Sequence, residues 1–331
     1  MDERRRAQLL GLKLGALVRE HGGVAGAEAV AAPGDFGAGA ALMAGTVAWV
    51  LVEDQPERGL GPALAWALRR KASELQVLAE RGTGTLARRA EGFGFPINVW
   101  HVEGRTLLPA VALPLPVSPP VLLSHLEWRP TIEEGGALPT VEHGVLAGEV
   151  AGLEVCRVVD DRDTAAVRLE VGVGAHDRET FQLLHGNRPT AEALADVVQS
   201  VGQHRRPGSL RHPLNLLAQE RLLRSRLIAD PALIGATEVV AAEPPLPRAN
   251  LKDAVPCVAV ATIDGASAVV VCSVGVDLDV VPFALDARRS TGIEQCLVVV
   301  PGRDALDIQH RLAAVAAPPI TIRSVDDASS T

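Results

Sequence analysis

Tyrosine is absent from the 331 residues, and lysine occurs only at Lys13, Lys71 and Lys252, so 29 of the 32 basic residues are arginines. A site that depends on a phenol cannot be built here, and one that depends on an ammonium has three candidates. No two of the four cysteines, Cys156, Cys257, Cys272 and Cys296, have CxxC spacing, which excludes a zinc knuckle or a thioredoxin-like motif. Each lies in an apolar, strand-like run and reads as a small buried hydrophobe. Thiols of this kind fit a reducing compartment, and the expected location is the cytoplasm. The P-loop is missing, and Gly82-x-Gly84 and Gly172-x-Gly174 are too short for a dinucleotide fingerprint. Ser273 has no glycine two residues before it, so it is not a nucleophile elbow.

A membrane-spanning run is also lacking. The longest apolar stretch, Leu107 to Leu123, carries five prolines and reads as an extended linker. Arg4, Arg5 and Arg6 precede an apolar segment as in a signal peptide, but Lys13 and Arg19 interrupt it. Leu10, Leu14, Leu17 and Val18 instead describe the buried stripe of an amphipathic helix. The net charge of −8 gives no overall field that would attract DNA or an anionic membrane.

What is present is material for a core, with 47% hydrophobic residues, and a length that suggests two or three domains. The pattern predicts an α/β fold in three regions: residues 1–110, a small β-rich middle domain at 121–204, and 205–326. The first region reads as a helix over 5–20, strands over 28–32, 40–45 and 46–53, a helix over 61–71, a strand over 74–79, a helix over 86–91 and a strand over 97–102. The third reads as a helix over 214–228, a strand over 238–242, and a hairpin of 256–263 and 268–276 around Asp264-Gly265. A helix over 282–290, a strand over 295–300, a helix over 305–315 and a strand over 320–325 follow. Both regions give the order α-β-β-β-α-β-α-β. Identities recur at an offset of 220: Pro62 with Pro282, Ala67 with Ala287, Arg69 with Arg289, Glu74 with Glu294, Gly82 with Gly302 and Leu86 with Leu306. An internal duplication is the expectation.

Four acids stand out at the strand ends of these regions. Val276-Asp277-Leu278-Asp279 closes the third strand of the second copy, with Asp253 upstream. Val52-Glu53-Asp54-Gln55 closes the third strand of the first, with Asp35 upstream. This arrangement, on this element order, resembles the restriction-endonuclease-like superfamily of PD-(D/E)XK nucleases. The resemblance covers about residues 5–103 and 214–325 and rests on topology. It implies divalent-metal chemistry, with Mg as the cofactor, at Asp253, Asp277, Asp279 and Glu53. Asp279 and Gln55 stand where that family carries its lysine. The alternative for the same acids is ordinary capping and turn formation.

Two further clusters are candidates. In the middle region, strands over 146–159 and 166–173 would carry Glu149, Glu154 and Glu170, with His176 at a strand end; Glu154, Glu170 and His176 make an acidic cluster suited to a metal or to acid–base work, or a solvated sheet face. From Gln203 to Arg226 six arginines, Arg205, Arg206, Arg211, Arg221, Arg224 and Arg226, face one acid, Glu220. They could bind phosphates, or decorate a surface helix and pair with acids elsewhere. The residues assign no reaction. The leading expectation is an interaction scaffold with little or no catalytic activity, partnered by nucleic acid or a protein that handles it. A metal-dependent nuclease or hydrolase and a self-associating structural protein are the alternatives.

Overall fold

The structure is a computed structural model that describes residues 3–21, 34–161, 166–174, 177–178, 190–205, 212–248 and 254–326. It is α/β, and its chain divides into two compact units. Unit 1 takes Met1–Leu115, Val276–Glu294 and Leu306–Ile322; unit 2 takes Pro116–Gly275, Gln295–Ala305 and Arg323–Thr331.

Unit 1 contains a six-stranded sheet in sequential order: β1 (Gly34–Phe36), β2 (Gly39–Ala44), β3 (Val47–Val52), β4 (Glu74–Ala79), β5 (Ile97–Glu103) and β6 (Thr106–Pro109). The first three strands are antiparallel, β3, β4 and β5 are parallel, and β6 turns back on β5. The central strands β3 (VAWVLV) and β4 (ELQVLA) are near-continuous apolar runs, buried along most of their length, as strands covered on both faces must be. Helix α1 (Glu3–His21) packs Leu14, Leu17 and Val18 onto the sheet, with Leu10 beside them, the stripe expected from their spacing. Helix α2 (Leu60–Arg69) makes the crossover from β3 to β4, and α3 (Thr83–Ala90) that from β4 to β5.

In unit 2, helices α4 (Leu123–Leu126), α5 (Arg129–Glu134) and α6 (Thr190–His204) accompany a four-stranded antiparallel sheet. Its order is β10-β9-β8-β7, from β7 (Leu138–Glu142), β8 (Val145–Val150), β9 (Leu153–Asp160) and β10 (Val167–Val171). The single strand expected over 146–159 is corrected to the hairpin β8–β9. Ala151 and Gly152 adopt φ of 45° and 76° and reverse the chain there. Helix α7 (Gln219–Ala229) follows, and then a five-stranded sheet in the order β11 (Glu238–Ala242), β12 (Cys257–Ile263), β13 (Ala266–Cys272), β14 (Cys296–Pro301) and β15 (Thr321–Val325). Asp264 and Gly265, at φ 51° and 78°, form the expected hairpin turn. Leu223 and Leu227 of α7 join the core of this sheet with Val270, Cys272 and Val299.

The two runs of elements share their order, and two of their strand pairings share a register. Both parallel pairs after the first hairpin place partners 27 positions apart, Val47 opposite Glu74 and Val269 opposite Cys296. The hairpin loops, at 45–46 and 264–265, are 219 apart, one residue off the offset given by the identities. The third region is nevertheless not one compact piece. Its helices α8 (Val280–Thr291) and α9 (Asp307–Ala314) belong to unit 1, while its strands and α7 belong to unit 2. The strand expected over 28–32 lies outside the described residues.

Candidate functional site

The strand-end acids lead to a buried charge cluster in unit 1. Asp279 and Asp286 are seven residues apart at the start of and within α8, two helical turns that put them on one face. Arg89 of α3 reaches both: Nη1 donates to Asp279 Oδ2 at 2.6 Å and Nε to Asp286 Oδ2 at 2.7 Å. Arg88 donates from Nε to Asp286 Oδ1 at 2.9 Å and from Nη1 to the carbonyl of Leu113 at 2.8 Å. All four side chains are buried. The second oxygen of Asp279 accepts the Gly61 N–H at 3.2 Å. Gly61 must be glycine for this approach, because a Cβ there would lie 2.0 Å from the carbonyl oxygen of Leu278. Burial pushes the Asp279 carboxyl up to about 6, against the pull of Arg89 and with the Asp277 charge adding to the rise. Asp277 is itself engaged, accepting from Arg58 Nη2 at 2.9 Å and from the Asp279 N–H at 2.9 Å.

One contact in this cluster is written twice. Arg89 Nη1 donates to the Glu57 carbonyl at 2.7 Å, and Gln309 Nε2 donates to the Asp277 carbonyl at 3.2 Å. Donor and acceptor pairs are each 220 positions apart, so α3 and α9 tie down equivalent turns in equivalent ways.

These geometries give two of the four candidate metal ligands arginine and backbone partners. Asp277 and Asp279 are held by Arg58, Arg89 and Gly61. Glu53 is half-buried at the end of β3 and Gln55 lies in a left-handed turn (φ 45°) beyond it. Asp253 lies outside the described residues, as does the Asp35 side chain. No group of three or more His, Cys, Asp or Glu suited to a metal ion occurs among the described residues.

The arginine patch is likewise turned inward. Arg224, with a side chain 1% exposed, donates from Nη1 to Glu142 Oε1 at 2.8 Å and to the Val258 carbonyl at 3.1 Å, and from Nη2 to Glu149 at 3.2 Å. Arg221 pairs with Glu142 and, at 2.5 Å, with Glu149. Arg205 serves the carbonyls of Ala151 at 3.0 Å, Leu214 at 2.7 Å and Leu217 at 2.9 Å, and burial lowers its guanidinium to about 10. Arg226 donates to the Asp326 carbonyl at 2.7 Å. Arg206 and Arg211 lie outside the described residues. Of the two readings of the patch, Arg221 and Arg224 follow the pairing with acids elsewhere, and Arg205 pairs with backbone carbonyls instead of facing phosphate: these residues close α7 and its neighbours onto the two sheets of unit 2.

In the middle sheet, Glu154 takes Arg157 at 2.9 Å and Arg178 at 3.0 Å, and Glu170 takes Arg168 at 2.8 Å and Arg178 at 3.5 Å. Arg178 therefore joins the two acids, and His176 lies outside the described residues. All four cysteines are buried and none is in a disulfide; burial pushes the Cys156 thiol up to about 12.

The sequence reading missed Arg88, Arg89, Asp286, Glu142 and Arg178. A signal existed for Asp286, the lone acid in the apolar run VVPFALDA, where a buried carboxylate demands a partner. The partners' positions had no local signal. No protein-family model, curated protein or solved structure matches the chain.

Proposed function

We propose that this chain is a non-catalytic interaction scaffold, built from two degenerate restriction-endonuclease-like modules and acting in the cytoplasm. The observation that supports it is the state of Asp277 and Asp279. A hydrolytic metal needs carboxylate lone pairs facing an open site. Here they face Arg58, Arg89 and backbone N–H groups. No helix among the described residues is long and apolar enough to cross a membrane. With Arg205, Arg221 and Arg224 occupied internally, a protein is the better partner class; a protein that handles nucleic acid is what the nuclease resemblance adds.

Calorimetric titration with Mg²⁺ and Mn²⁺, paired with a plasmid-cleavage assay, tests this. No binding at millimolar metal and no nicking are expected. A heat signal or a cleavage activity that disappears in Asp277→Ala would replace the scaffold with a metal-dependent hydrolase.

A further inference from the structure

Unit 2 carries two sheet edges whose outer backbone groups pair with no other strand among the described residues. β7 is the last strand of the four-stranded sheet and β11 an outer strand of the five-stranded one. Residues 138–142 of β7 and 239–242 of β11, with Arg129 and Ile228, line one groove of about 400 Å³. Side chains alternate between the faces of a strand, so consecutive residues line a groove only along the strand's edge.

The registers say which groups face it. His143-Gly144 joins β7 to β8 with φ of 50° and 75°, the tight turn in which the flanking residues, Glu142 and Val145, exchange hydrogen bonds. Thr140 with Ala147 and Leu138 with Glu149 continue that set. Val141 therefore turns its N–H and C=O to the groove, and Pro139 its C=O. A proline at that position loses no ladder bond, because its missing N–H falls on the free side. Along β11, Glu238, Val240 and Ala242 face Thr262, Val260 and Val258 of β12. The Thr237 N–H donates to the same Thr262 carbonyl, which fixes this phase. Val239 and Ala241 are left with N–H and C=O directed into the groove.

Apolar surface and charge narrow the occupant. Leu138 and Val240 are 46% and 49% exposed. Glu142 is neutralised by Arg221 and Arg224. Arg129 has a 3.9 Å approach to Glu133 across the surface of α5, with both side chains about half exposed, so the groove presents a positive charge.

We propose that this groove receives an extended apolar segment of a partner protein, inserted as a strand along β11, with a carboxylate side chain directed to Arg129. The proposal deepens the scaffold reading by giving the partner its chemistry.

The probe is a short acetylated peptide of alternating valine and threonine with one central glutamate, fluorescein-labelled and titrated with the full chain by anisotropy. Binding is expected, at least tenfold weaker when alternate peptide amides are N-methylated and at least tenfold weaker to Ala241→Pro, which deletes a groove-facing donor and keeps the β12 ladder. Arg129→Ala should weaken the glutamate peptide and leave its glutamine counterpart unchanged. In the unmodified chain, the amides of Val239 and Ala241 should exchange rapidly and slow when peptide is added, a readout that holds even where Ala241→Pro fails to fold. Absence of binding at millimolar peptide, equal binding of the N-methylated form, or unchanged exchange would each overturn the proposal. So would self-association abolished by Ala241→Pro, which would put a second copy in the groove. Metal binding would overturn the scaffold and leave the peptide result standing, so the two failures are distinguishable.

Discussion

Asp279 is a carboxylate whose burial outweighs its partners, and this gives it a measurable titration. Its carboxyl lies at about 6 in the fold, above the 3.8 of the free group. A raised acid favours the folded state most when protonated. Its contribution is therefore fully present below about pH 4 and is lost as pH rises through 6, a change on the order of 2–3 kcal/mol. Asp279→Asn keeps an acceptor for the Gly61 N–H and removes the titration. Urea unfolding of the variant and the parent chain from pH 4 to 7 should show Asn gaining on Asp across that range; parallel curves would place the titration elsewhere. Glu142 and Glu149 are each bridged by both Arg221 and Arg224. Ion pairs of this kind are poor sources of stability but sharp determinants of which surfaces meet, since a mismatched pairing would bury charge alone.

At the scale of elements, the β8–β9 hairpin depends on one glycine. Gly152 has φ 76°, and a Cβ there would lie 2.2 Å from the backbone carbonyl of Arg221 in α7. Gly152→Ala should destabilise by more than about 2 kcal/mol, through both the left-handed strain and the displaced helix. A thermal melt reads this directly, and an unchanged midpoint would mean that α7 is free to move away. This hairpin also marks where sequence patterning stops. Strands β4 and β11 are legible to the residue, because apolar runs bounded by turn residues specify them. The α1 stripe and the Asp264-Gly265 turn are equally plain. The Ala151-Gly152 reversal is not, since alanine at φ 45° is outside the usual turn chemistry and the flanking residues continue the strand pattern. β1 and β6 are short edge strands supplied by the sheet, not by their own composition. Among the candidate site residues the acids were legible as positions and not as roles, because the arginines that engage Asp279 and Asp277 are 190 and 219 residues away in the chain.

For the whole molecule, the interleaving of the chain matters most. A division into residues 1–110, 121–204 and 205–326 would let the first two parts fold alone. Unit 1 instead needs α8 and α9 from the last quarter of the chain. A fragment of residues 1–204 lacks Asp279 and Asp286 and would leave Arg88 and Arg89 without counter-charges in a partly built core. Trypsin should cut it quickly at those arginines while the intact chain resists. A protease-resistant core spanning residues 1–115 would instead establish that the first sheet is self-sufficient. The same feature constrains the order of events at the ribosome. Residue 115 is made some 170 residues before Asp286, and at roughly 5–20 residues per second that is a wait on the order of ten to thirty seconds. Throughout it the nascent sheet stands with two basic side chains uncovered. The segment carrying α8 must be made before the earlier sheet can close, so a premature stop anywhere before α8 discards the upstream half as well.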